Sequence, residues 1–140
     1  MEEIRLKKGL KYWFIIHFFA DILVAVPLLL VPQELLTFLG WKTVDPVAAR
    51  LVAAALFAIG IESWLARNSS LESFLSMLDL KIIWSGAAIL GFVINLIQNI
   101  HSRPQALWAF LAIFTGFNIV WIYWRVQLKK LFTERQKDFI

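Results

Sequence analysis

The chain has 140 residues, 60% hydrophobic and 17% charged, with a net charge of +4. Its mean hydropathy is +0.71. A soluble domain is about half apolar and about a quarter charged, and a soluble helical bundle needs a polar stripe along each helix. Here Ile82 to Leu96 carries only Ser85 and Asn95 as polar side chains, which excludes an ordinary soluble bundle. In a chain of this kind the placement of basic residues matters more than their sum, so the charge does not indicate nucleic-acid binding. Cysteine is absent. That excludes disulfide exchange, thiolate catalysis and Cys-ligated zinc or iron–sulfur centres, together with four-helix quinone-linked thiol oxidoreductases, which need cysteine pairs.

The expected fold is all-α: one integral membrane domain over residues 1–140, with four transmembrane helices at about 10–31, 46–67, 70–99 and 104–126 and a basic tail over 127–140. A membrane-crossing helix needs about 20 apolar residues. The first apolar run, from Tyr12 to Val31, is too long for a signal-peptide core and has no small-x-small cleavage site after it. It is therefore expected to stay as a transmembrane helix, kinked at Pro27. Pro32 to Trp41 has Pro at a helix start and Gly40 at a stop. Leu35, Leu36, Phe38 and Leu39 suggest a short interfacial helix anchored by Trp41, the alternative being a greasy loop.

Asp45-Pro46 caps and opens the next helix. Ser69-Ser70-Leu71-Glu72 reads as a capping box with Ser69 at the cap and Glu72 three residues later. Arg103-Pro104 separates the third long helix from the fourth. The tail has Leu128, Leu131 and Phe132 at helical spacing among Lys129, Lys130 and Arg135. It reads either as a helix resting on an anionic membrane surface or as a solvated extension. With both termini cytoplasmic, Arg5, Lys7, Lys8, Lys11, Arg67, Lys81, Arg125, Lys129, Lys130, Arg135 and Lys137 lie inside, against Lys42, Arg50 and Arg103 outside. This is a strong positive-inside bias, and the expected location is a prokaryotic plasma or inner membrane.

That topology allows depths to be compared at about 1.5 Å per residue. His17 lies about a third of the way in, Asp21 is near the middle, and Glu62 returns to the level of His17. Lys81, Ser85 and Asn118 fall in the same half. His17 and Asp21 share a helix face, which permits an imidazole–carboxylate hydrogen bond. Glu62 or Asp79 can partner Lys81. The expected site is a polar cavity in the cytoplasmic half, open or nearly open to the cytoplasm and lined by His17, Asp21, Glu62, Lys81, Trp84, Ser85 and Asn118. The alternative is a structural network that only locks the helices. Arg50 either snorkels or pairs with a carboxylate. Asn95, Gln98 and Asn99 read as interfacial hydrogen-bonders. Trp13, Trp41, Trp64, Trp108, Trp121 and Trp124 fall near helix ends, where indole prefers the headgroups; Trp84 is the tryptophan expected at a cavity. Ala54/Ala58, Ala87/Gly91 and Ala112/Gly116 are small pairs that permit close helix approach.

Metal and cofactor chemistry finds no support. The two histidines, His17 and His101, fall on opposite sides and cannot share one haem iron. No Glu-x-x-His pair of a di-iron bundle is present. Neither a catalytic residue nor a metal ligand is assigned, and no cofactor is expected.

The second long helix runs Asp45-Pro-Val-Ala-Ala-Arg50, then Leu-Val-Ala-Ala-Ala-Leu-Phe57, Ala-Ile-Gly60 and on to Arg67. It resembles a pattern in small DoxX-like membrane proteins, in which Arg begins an apolar helix with a later Phe and Gly. The size and four-helix plan are similar too. This chain differs in carrying Glu62 and a full helix before the motif. The resemblance implies a membrane partner of a respiratory or redox system. Three functions are therefore expected in competition. One is a membrane protein binding or transporting a small or amphipathic ligand, as a homodimer or larger oligomer. The second is a non-catalytic accessory or assembly subunit of a larger membrane complex. The third is a membrane-embedded enzyme acting on a lipid or quinone, with His17 and Asp21 as its acid–base pair. The lipid bilayer is the common partner; nucleic acid is not.

Overall fold

The structure, a computed structural model, describes residues 1–98 and 104–137. Five helices follow in order: α1 (Glu2–Leu30), α2 (Pro32–Phe38), α3 (Pro46–Ala66), α4 (Leu71–Gln98) and α5 (Ala106–Lys137). The described residues contain no strand. Helices α1, α3, α4 and α5 are long and apolar enough to cross a membrane. The expected helix end at Asn99, and His101 and Arg103 beyond it, lie outside the described residues.

Local chemistry sets the boundaries. Asp45 Oδ1 accepts from the backbone N–H groups of Val47 and Ala48 at 2.9 and 3.2 Å, ahead of Pro46. A cap of this type contributes about 1 kcal/mol. The short helix α2 opens on Pro32 and stops at a Schellman turn: Trp41 N–H donates to Leu36 O at 2.9 Å and Gly40 N–H to Thr37 O at 3.0 Å. The turn requires a left-handed residue, and Gly40 supplies it with φ 99°. At the start of α4 the cap differs from the expected one. Ser70, not Ser69, accepts from Ser73 N–H at 3.2 Å, and the partner is Ser73 rather than Glu72, because the helix begins one residue later.

The long helices associate as two close pairs, α1 with α3 and α4 with α5; across the pairs the backbones come near chiefly between α1 and α5. The α1/α3 seam is built from small residues. Ala25 on α1 and Ala49, Ala53 and Gly60 on α3 are buried, and a Cβ at Gly60 would lie 2.9 Å from Asp21 Cβ. Membrane helices lack a hydrophobic drive toward one another, so such close packing holds them. The small pairs singled out in the sequence are not at this seam: Ala54, Ala58, Ala87, Gly91, Ala112 and Gly116 are all exposed. Their four-residue spacing is right, but they fall on the outward face.

Three helices overhang one end. At about 1.5 Å per residue, α3 with 21 residues spans about 32 Å, whereas α1 with 29 and α5 with 32 reach about 44 and 48 Å. His17 stands opposite Ser63, so the first turns of α1 run past the end of α3. Leu6, Leu10, Leu71, Phe74, Leu78 and Leu128 form a buried core there, with Leu131 and Phe132 packed against it. Arg135 pairs with Glu3 across the outside. Through Lys137 the tail continues α5, and its Leu128, Leu131 and Phe132 pack on the chain's own core. Trp121, expected as an interfacial anchor, is fully buried in this core. The pair formed by Asp79 and Arg125 ties α4 to α5 near the same end.

Substituting Gly60 with Val forces the α1/α3 seam apart at Asp21, at a cost of about 1–3 kcal/mol from overpacking. Gly116→Val, where an added Cβ has nothing within 4 Å, should change little. Thermal unfolding of the two purified variants in the same detergent checks this; equal melting temperatures would contradict the seam.

Candidate functional site

A polar layer crosses the bundle where the packed end stops. Lys81 on α4 is its centre, with a side chain 1% exposed. An ammonium has three protons and no acceptor, so burial requires partners for each. Nζ donates to Glu62 Oε2 at 3.0 Å and to Ser63 Oγ at 2.6 Å, both on α3. It also faces the Phe14 and Trp121 rings, with Nζ 4.8 and 5.7 Å from their centroids. Ser63 donates its own proton to Ile59 O at 2.8 Å. Its oxygen is therefore an acceptor for Lys81 and for His17 Nδ1, which lies 3.2 Å away. This assignment places the imidazole proton on Nδ1. On α5, Asn118 Nδ2 donates to Ser85 Oγ at 2.8 Å and to Ile82 O at 3.1 Å, while Ser85 donates to Lys81 O at 2.6 Å.

Every long helix contributes a side chain to this layer. One link differs from the expected one. His17 Nδ1 comes within 3.3 Å of Asp21 Oδ2, yet the expected imidazole–carboxylate hydrogen bond is not made, because Nδ1 is directed at Ser63. Asp21 Oδ2 is buried without a hydrogen-bond partner. Ser63 was missed in the sequence; its signal was its position beside Glu62, one turn after a carbonyl it could bond. Lys81, expected also among the interfacial basic residues, is an interior group. Arg50 makes no ion pair with a carboxylate among the described residues; its Nε donates to Leu29 O at 3.2 Å, capping a carbonyl at the end of α1.

Beside the layer lies a partly enclosed cavity of about 450 Å³, within the usual size of small-molecule sites. His17, Asp21, Lys81, Trp84 and Ser85 line it; Glu62 and Asn118 do not, standing behind Lys81 and Ser85. Its remaining walls are aliphatic and aromatic: Val24, Leu28 and Leu56 on the α1/α3 pair, Phe92, Phe110, Phe114 and Phe117 on the other, and Leu36 and Trp41 at the α2 end. The cavity therefore differs from the expected one in two respects. It is mostly apolar, with polar groups confined to its floor. It also extends from that floor toward α2, because Phe14, Phe74, Leu78 and Trp121 fill the gap on the other side. Leu23 on α1 and Ile113 on α5 line it and are 77% and 51% exposed, so its rim is apolar.

Among the described residues no group of three or more His, Asp or Glu side chains is placed to hold a metal ion. What the arrangement offers is an apolar chamber ending in a carboxylate, an imidazole, an ammonium and a hydroxyl.

Removing Lys81 as Lys81→Met leaves Glu62 without its counter-charge and should destabilise the protein by about 3 kcal/mol, the low end for breaking a buried pair. Asn118→Val removes only neutral interhelical bonds, worth about 0.6 kcal/mol each. Unfolding in mixed micelles should rank Lys81→Met well below Asn118→Val, with Glu62→Gln added to Lys81→Met restoring part of the loss. No restoration would mean that the Lys81–Glu62 pair is not the link.

No protein-family model, curated protein or solved structure matches the chain.

Proposed function

We propose that the chain is an integral membrane protein that binds, and in doing so can carry, a small amphipathic ligand. The supporting observation is the cavity: about 450 Å³, walled by apolar side chains and ending on Asp21, His17, Lys81 and Ser85. Such a chamber suits a molecule with an apolar body and one polar end. Burying the body favours binding by about 25 cal/mol for each Å² of apolar surface removed from water. For a ligand entering from lipid that gain is small, and the polar floor sets selectivity instead. All four long helices of one chain wall the chamber, so occupancy needs no second copy.

A second reading has its own support. Lys81 has a partner in every direction, which is what a lock between helix pairs requires, and an accessory subunit of a membrane complex would need no more. The two differ at Ala20, which lines the cavity but takes no part in the polar layer. Ala20→Phe should fill the chamber and abolish saturable quenching of the lining tryptophans by a bromoalkanol, with the melting temperature nearly unchanged. Undiminished saturable quenching would remove the binding reading.

The same proposal sets the termini in the cytoplasm, in a prokaryotic plasma membrane. With Lys81 withdrawn into the interior, Arg5, Lys7, Lys8, Lys11, Arg67, Arg125, Lys129, Lys130, Arg135 and Lys137 still outnumber Lys42, Arg50 and Arg103, and positive charge is retained inside. The chain has no cysteine, so single cysteines report cleanly. In intact cells Lys42→Cys should react with an impermeant maleimide and Lys7→Cys only after lysis. The reverse pattern would invert the topology.

A further inference from the structure

We infer that the ligand is a lipophilic amine whose protonated nitrogen sits on Asp21, an inference resting on the ligand-binding reading above. Its basis is the charge arrangement at the cavity floor. Four long helices surround that floor, and their charged groups at or behind it are few. From α1 come Asp21 and His17, from α3 Glu62, and from α4 Lys81; α5 carries no charged residue between Ala106 and Trp124. Lys81 neutralises Glu62 at 3.0 Å, and its remaining directions are taken by Ser63 and two aromatic rings.

Asp21 is left over. It is 8% exposed and lines the cavity, and its enclosed Oδ2 accepts no hydrogen bond among the described residues. His17 Nδ1 stands 3.3 Å from Asp21 Oδ2 but is directed at the Ser63 oxygen, so the neutral imidazole supplies Asp21 with neither a charge nor a hydrogen bond. An intramembrane carboxylate without a partner is costly and marks a functional position. A protonated amine supplies both the missing charge and the missing donors, and charge-assisted hydrogen bonds are about twice as strong as neutral ones.

The walls suit the same ligand. Phe117, which lines the chamber 4.9 Å from the His17 ring, sets an aromatic ring beside the floor, and aromatic rings attract cations, most strongly where water is excluded. A carboxylate ligand would meet Asp21 with like charge. An alcohol would offer one donor and no charge. The amine alone matches floor and wall.

The test uses the full chain in phosphatidylcholine nanodiscs and three probes of one shape: phenylbutylamine, phenylbutanol and phenylbutyrate. Binding is read by quenching of the lining tryptophans and by calorimetry. The expected order is amine above alcohol by about tenfold, the size of one charge-assisted contact, with the carboxylate weakest. In Asp21→Asn the amine should fall to the level of the alcohol while alcohol binding persists. The preference in the unaltered chain needs no variant, so a misfolded Asp21→Asn does not rescue the inference. If the alcohol binds as tightly as the amine, the amine assignment fails while the cavity reading stands. If none of the three binds, both fail. Competition from added phosphatidylethanolamine would overturn the assignment to a free amine in favour of a lipid headgroup.

Discussion

A lysine ammonium held inside an apolar bundle is the constraint around which the rest is arranged. The effective cost of taking such a group out of water is several kcal/mol, so Lys81 cannot be buried until its protons and its charge are matched. Glu62 and Ser63 are presented one turn from the end of α3, and Phe14 and Trp121 bring π-faces from α1 and α5. Four helices meet at one side chain. This matters because the backbones of the two helix pairs otherwise approach chiefly along α1 and α5. The Lys81 contacts to Glu62 and Ser63 join α3 to α4 directly, and Ser63 passes the connection to His17 on α1.

The cavity follows from what lies on either side of that layer. Toward the chain termini the space between the pairs is filled by large side chains, with Phe14 and Phe74 edge-on at 4.9 Å and Phe14 and Trp121 at 5.8 Å. Toward α2, the α1/α3 pair presents Val24, Leu28, Ala49, Val52 and Leu56. These are smaller groups, and the aromatic residues of α4 and α5 turn against one another instead, Phe92 meeting Phe114 at 5.4 Å and Phe110 at 6.4 Å. The gap between pairs is left open, and the α2 turn closes its far end through Leu36 and Trp41, with Trp41 edge-on to Phe110 at 6.1 Å. Packing thus places the polar groups at a floor rather than around a channel.

Much of this was legible in the sequence where one-dimensional chemistry decides the outcome. The four apolar runs, the Asp45 cap, and the Pro32 start and Gly40 stop of α2 each depend on neighbouring residues only. Antiparallel helices of known rise let depth be counted, which brought His17, Glu62, Lys81, Ser85 and Asn118 to one level. What depended on rotation about the helix axes was not legible. Ser63 needed the direction of α3 toward His17; the outward placement of Ala87 and Gly91 needed the face of α4 to be known; the direction of the cavity needed to know which side of Lys81 the large residues would fill. The tail's apolar spacing was read correctly, but its partner was the first turns of α1, more than a hundred residues earlier in the chain, and no local pattern announces that.

Anomalous diffraction from crystals of the full chain grown with a brominated amphiphilic amine tests the central claim most directly. The account predicts a single bromine peak within the chamber between Leu56 and Phe114, with the nitrogen end toward Asp21. Bromine found only on the outer, lipid-facing surface, with the chamber closed by inward movement of α4 and α5, would contradict it.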